Sequence, residues 1–207
     1  LNCQVMLMSA ILGVSLKILS SHLVYSNPQE YAAFPSVAID SDGVLYCVFR
    51  LAPTRKSKTH IDTRSVAVLM KSEDEGETWE KVSEFKPAHY TGVQDPSLCI
   101  LKDGTFLLNY FGYATFKEDK HTKKSKKVRM LGPFVVKSKD KGKNWKDNQC
   151  VWTHPDLAVS EPIIEHGQLG TLYMAGYADT GGGGHACFLL RYSEIDQEWG
   201  KGKKIAH

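Results

Sequence analysis

The chain has little from which a metal centre or a disulfide framework could be built. Its five cysteines, Cys3, Cys47, Cys99, Cys150 and Cys187, are odd in number and widely spaced, with no CxxC pair and no Cys/His cluster. No calcium-loop spacing occurs, and no cofactor is implied. Arginine is scarce, confined to Arg50, Arg55, Arg64, Arg129 and Arg191. There is no Asn-x-Ser/Thr acceptor, which leaves the cellular compartment open. No stretch sustains a helical period, so the expected fold class is all-β.

Long apolar runs are also missing. Val5 to Leu19 is apolar but broken by Lys17, too short for a comfortable membrane span and without a basic stretch before it. Residues 1–30 therefore read as a docked first strand or a gene-boundary segment, with a clipped signal segment as the third reading. Leu1 rather than Met at the start reads as a sign of a fragment. The net charge of +3 is small, and much of the basic excess sits in Lys117 to Arg129. That run reads as a solvated loop between strands and gives no nucleic-acid footprint. With 42% hydrophobic and 24% charged residues over 207 positions, the chain can still bury a core of its own.

What is abundant is repetition. Ser72-Glu73-Asp74-Glu75-Gly76-Glu77-Thr78-Trp79 recurs as Ser138-Lys139-Asp140-Lys141-Gly142-Lys143-Asn144-Trp145. The spacing is that of a tight hairpin: Ser and Asp bond the turn's own N–H groups, Gly supplies a positive φ, and Trp packs beneath as the chain returns. A third copy, Ser193 to Trp199, lacks the Gly and is degenerate.

Each box follows another repeated unit, an x-Pro strand, a turn and a second apolar strand. The copies begin at Phe34-Pro35, Asp95-Pro96 and Glu161-Pro162, with turns at Asp42-Gly43, Asp103-Gly104 and Leu169-Gly170. A further strand-like run precedes each box: Ser65 to Met70, Gly132 to Lys137 and Ala186 to Tyr192. Three or four antiparallel strands per unit make a blade, and repeated blades predict a β-propeller with residues 31–207 as an incomplete propeller domain. About three blades are present. The remaining blades are missing from the chain or supplied by association, since three cannot close a ring.

If the x-Pro strand is innermost, Phe34, Asp95 and Glu161 lie at one height in successive blades. Two carboxylates aimed at one axis suit glycoside hydrolysis, although each also suits a turn before proline. Arg50, Phe111 and Tyr177 follow the turn Gly by the same interval and end the second strand near the channel mouth. There an Arg can fork onto a carboxylate, or onto a local acid, and an aromatic ring can stack on a sugar. The Gly181 to Gly184 run reads as a rim loop, and His185 beside it is a candidate substrate contact. His60, His89 and His121 show no metal spacing.

The two boxes, alternating with x-Pro-Ser hairpins over roughly Tyr31 to Trp199, resemble the Asp-box or BNR repeats of the sialidase (neuraminidase) superfamily, whose propellers have six blades. The resemblance implies a hydrolase acting on terminal sugars of glycans. It makes Asp62, ten residues ahead of Ser72, a candidate acid/base, with Asp95 and Glu161 as channel carboxylates and Arg50 as the basic residue ending the first hairpin. The family's first hairpin opens on an Arg-Ile-Pro motif whose Arg grips the substrate carboxylate; Ala33-Phe34-Pro35 stands there instead. That departure keeps open a second reading, a non-catalytic propeller that binds glycan or protein.

Overall fold

The computed structural model describes residues 20–53, 62–87, 91–116, 127–152, 157–179, 184–193, 198–200 and 203–206. The Val5 to Leu19 segment, His60, His89, His121, most of the 117–129 basic run, Gly181 to Gly183 and the interior of the third box lie outside them.

The described residues are all β, in three antiparallel sheets that follow the chain. The first blade is β1 (Glu30–Ile39), β2 (Leu45–Pro53), β3 (Val66–Ser72) and β4 (Glu80–Phe85). The second is β5 (Thr91–Ile100), β6 (Phe106–Phe116), β7 (Lys127–Ser138) and β8 (Lys146–Cys150). The third is β9 (Ile164–His166), β10 (Thr171–Asp179), β11 (His185–Ser193) and β12 (Glu198–Trp199), with β13 (Lys203–Ala206) paired to β11. Within each blade the strand order is the sequence order, which is the partial propeller expected from the repeats. The end of the basic run differs from its reading as loop, since Lys127 to Arg129 open β7 opposite Ala114 to Phe116.

Alternation along the strands glues blade to blade. Tyr46, Val48 and Leu69 of the first blade meet Leu98, Phe106, Leu108 and Tyr110 of the second. On the second blade's other face, Leu107, Phe111 and Val135 meet Leu157, Ile163, Met174 and Leu190. The first blade's far face, Cys47, Phe49, Val68 and Met70, packs beneath Val24, Tyr25 and Trp79. Cys187 lies in β11 and is exposed.

The two complete boxes form as their spacing predicts. Ser72 Oγ accepts from Gly76 N at 2.8 Å, and Asp74 accepts from Thr78 N at 2.9 Å and Thr78 Oγ1 at 2.6 Å. Ser138 and Asp140 repeat this with Gly142 N at 2.9 Å, Asn144 N at 2.9 Å and Asn144 Nδ2 at 2.7 Å. Those bonds hold both carboxyls down at about 2, the Thr78 and Asn144 side chains contributing most. Left-handed backbone takes two residues in each turn, Glu75 with Gly76 and Lys141 with Gly142.

The second box also clasps one blade to the next. Ser83 of β4 donates to Gly142 O at 2.6 Å and accepts from Trp145 Nε1 at 3.1 Å. Lys141 reaches Asp40 and Asp42 of the first blade's turn at 3.0 and 2.7 Å.

Candidate functional site

The x-Pro strands β1 and β5 are the first strands of their sheets and pack against each other. Each carries a bulge at the proline. Register shifts between Ala33 and Ser36 and between Gln94 and Ser97, and Phe34 and Asp95 there have φ of 56° and 45°. Phe34 and Asp95 are thus structural equivalents, as the repeat implies. A non-glycine residue with such a φ is strained, and the strain here turns Asp95 out of the ladder.

Glu161 departs from that equivalence. Ala158 bridges Tyr177 and Ile164 pairs with Tyr173, so the inner segment carries two more residues than β10 across this span. Glu161 sits in that longer excursion, and its φ is not among the positive ones. Its carbonyl accepts from Asn109 Nδ2 at 3.0 Å, and Ser160 O accepts from Ser97 Oγ at 2.9 Å. The excursion is therefore tied to β5 and β6.

Those ties bring a new residue to Asp95. Ser160 Oγ donates to Asp95 Oδ2 at 2.9 Å, and Gln94 Nε2 donates to Asp95 Oδ1 at 2.8 Å. The half-buried carboxylate is held by one donor from its own strand and one from the third blade. Tyr113 pairs with Gly92 on β5, three residues before Asp95, and packs against Phe111. Its phenol is pushed up by burial first and then by the charges of Tyr177 and Asp95, so it stays a neutral hydroxyl.

Asp62 approaches the same strand from the first blade. It stands in the loop ahead of β3, where the resemblance puts it, and is nearly buried. Asp62 O receives Ser65 N at 3.0 Å, and Ser65 Oγ lies 2.7 Å from both Asp62 O and Val93 O. A Cβ on Gly92 would come within 2.0 Å of Asp62 O, so only glycine admits this loop against β5. The Asp62 carboxylate takes Arg64 N at 2.9 Å and the Arg64 guanidinium at 3.1 Å on each oxygen.

The remaining candidates spread out. Arg50 and Phe111 are register equivalents, opposite Ala33 and Gln94. Both face the following blade rather than the mouth, and Arg50 is completely buried, with its guanidinium 5.9 Å from the Tyr31 ring centroid. Tyr177 lies on the third blade's outward face, 46% exposed, and His185 is exposed opposite Asp179. The structure thus joins Asp95 to Ser160, next to Glu161, and seats the Asp62 loop on the same strand at Gly92 and Val93. Among the described residues no three His, Cys, Asp or Glu are placed to hold a metal ion.

Gln94, Ser160 and Tyr113 were not singled out from the sequence. Strand alternation marks Tyr113, two residues beyond Phe111 on the same face, and Gln94 and Ser160 directly precede the two singled-out acids. Nothing in the sequence signals that Ser160 crosses to Asp95.

No protein-family model matches the chain, and no curated protein does. Solved structures do. A protein of unknown function from Dyadobacter fermentans is 27% identical with a TM-score of 0.74, over 90% of this chain and 58% of that one. The NanB sialidase of Streptococcus pneumoniae is 11% identical at a TM-score of 0.65, covering 89% and 46%. An alpha-L-arabinanase of Penicillium chrysogenum is 16% identical at 0.58, covering 88% and 51%. The chain spans about half the length of these structures. Its fold is that of a partial sialidase-like β-propeller.

Proposed function

We propose that the chain is part of a sialidase-like glycoside hydrolase acting on terminal sugars of glycans, with Asp95, Asp62 and Glu161 as its carboxylates. Residues 31–207 form the propeller part, and further blades complete it. The observation that carries the reading is Asp95, a half-buried carboxylate on a strained bulge, with both oxygens fixed by side chains from two blades. Strain and convergent donors are marks of a working group. Glycosidases use two carboxylates at a set separation, and in this reading Asp62, whose loop seats against Gly92 of β5, is the second. Glycosidases and a sialidase among the fold's likenesses support a carbohydrate substrate. No helix of the described residues is long and apolar enough to cross a membrane.

The test is turnover of a panel of chromogenic glycosides by the full-length protein and by Asp95→Asn, Asp62→Asn and Glu161→Gln. Loss of at least a hundredfold in kcat for Asp95→Asn, without loss of folding, is expected from removing an acid/base or nucleophilic group. Undiminished turnover in all three variants sinks the assignment.

A second reading is a non-catalytic propeller that binds glycan or protein through this face. Asp62 favours it, because a carboxylate engaged at both oxygens by Arg64 is an acceptor rather than a proton donor. Saturable glycan binding without turnover of any ligand would support this reading.

A further inference from the structure

The seam between the second and third blades holds a cleft of about 210 Å³ at the turn end of the strands. Leu107 and Val135 of the second blade and Leu172 of the third give it an apolar wall. Tyr192 and Trp199, paired across β11 and β12 with ring centroids 5.7 Å apart, line it with aromatic surface. Lys137 stands opposite Leu107 in the β6–β7 ladder and so projects from the same face into the seam. Lys139 and Asp103 also line the cleft.

The seam between the first and second blades is filled at the corresponding place. By the repeat, Leu69 corresponds to Val135 and Phe106 to Leu172. Gly142 of the second box sits against Leu69 and Phe106, so close that a Cβ on it would come within 2.2 Å of the Leu69 side chain. Lys141 of the same box reaches Asp40 and Asp42, whose counterparts Leu101 and Asp103 line the cleft. Only glycine admits so close an approach, and the third box has no glycine. The cleft thus stands where the second box closes the other seam.

The lining suits one hydroxyl-bearing ring. The volume falls below the roughly 300–1,000 Å³ of sites that take drug-sized ligands, so it admits a single ring rather than a chain of them. A sugar ring offers a C–H face to aromatic surface, and its hydroxyls both donate and accept. Asp103 Oδ1 takes Thr105 N at 2.8 Å, and an ionised carboxylate keeps further lone pairs for a hydroxyl donor. Lys137 and Lys139 are donors to hydroxyl oxygens. A ring without hydroxyls would cover these charged groups and return no hydrogen bond. We propose that the cleft is a sugar-binding site separate from Asp95, with Trp199 as its platform, Lys137 and Lys139 as donors and Asp103 as acceptor. Cys99, the partner of Leu107, lies four residues beyond Asp95 on β5, roughly 13 Å along an extended strand. The site is independent of the chemistry assigned to Asp95.

The experiment is titration of the full-length protein, and of its Asp95→Asn variant, with methyl galactoside, glucoside, mannoside and fucoside and with phenol, read by the indole N–H resonance of Trp199. Trp199→Phe assigns that resonance. At least one glycoside is expected to shift it saturably, with the same affinity in Asp95→Asn, and to bind more tightly than phenol. Lys137→Ala should weaken binding about tenfold, the worth of one charge-assisted hydrogen bond, and Lys137→Arg should restore most of it. Lys139→Ala, at an exposed position that folding does not need, should weaken it in the same direction. A Trp199 resonance that no glycoside moves overturns the inference, as does phenol binding as tightly as the best glycoside or an affinity unchanged in both lysine variants. Loss of the shift in Asp95→Asn also overturns it, since the sugar would then sit on the Asp95 face. Turnover measured for Asp95→Asn tests the hydrolase reading separately, so either can fail without the other.

Discussion

Ser160 donates its hydroxyl to Asp95 across the seam between the second and third blades, at 2.9 Å. The bond joins two parts of the chain that each sit next to a proline in their repeat. One is on the bulge of β5, the other in the longer excursion of the third blade. Blade packing thereby becomes a determinant of how a single carboxylate is aimed.

The Asp62 loop depends on a missing side chain. Gly92→Ala would drive a Cβ to 2.0 Å from Asp62 O, backbone that cannot swing aside. A loss of about 2 kcal/mol or more is expected, with displacement of the loop. Gly43→Ala, whose Cβ meets nothing within 4 Å, carries only the cost of its φ of 83° and should lose less. Chemical denaturation of both variants checks the order.

Ser83 satisfies two groups of the neighbouring blade, Gly142 O and Trp145 Nε1. Ser83→Ala leaves both without this partner and should cost about 1–3 kcal/mol. The same substitution at Ser41, exposed in the turn between β1 and β2, should change the denaturation midpoint less.

The box carboxylates set an acid limit. Asp74 and Asp140 are held down to about 2, so their stabilisation is fully present above the unfolded carboxylate range near ~4 and is lost as pH falls toward 2. Melting curves of the Asp74→Asn/Asp140→Asn double variant should lie below those of the parent at neutral pH. The gap should narrow steadily between about pH 4 and 2. A gap that stays constant across that range contradicts the assignment.

Thiol reactivity should follow burial. Cys47 is enclosed in the first blade and its thiol is pushed up to about 11, whereas Cys187 is exposed. At about pH 8, iodoacetamide should label Cys187 well before Cys47, as read by peptide mass spectrometry.

The sequence made the blades visible because each carries its own punctuation: x-Pro, a turn glycine and a Trp-ended box. Local turn chemistry is set by neighbours along the chain, and Ser72, Asp74 and Gly76 act as their spacing implies. The equivalence of Phe34 with Asp95 was legible for the same reason. Glu161 was harder, because two extra residues in the inner segment shift it without altering the Glu-Pro signal. Arg50 shows the limit of counting from a turn: the interval gives its register with Phe111, while alternation sends it between blades. Ser160, Gln94 and Tyr113 owe their places to contacts between strands and blades that sequence spacing does not encode.

The most direct test of the account is the kcat of Asp95→Asn in the full-length protein on its best glycoside, with folding confirmed by an unchanged melting curve. The account predicts a fall of about a hundredfold or more. Turnover equal to that of the parent protein would contradict it.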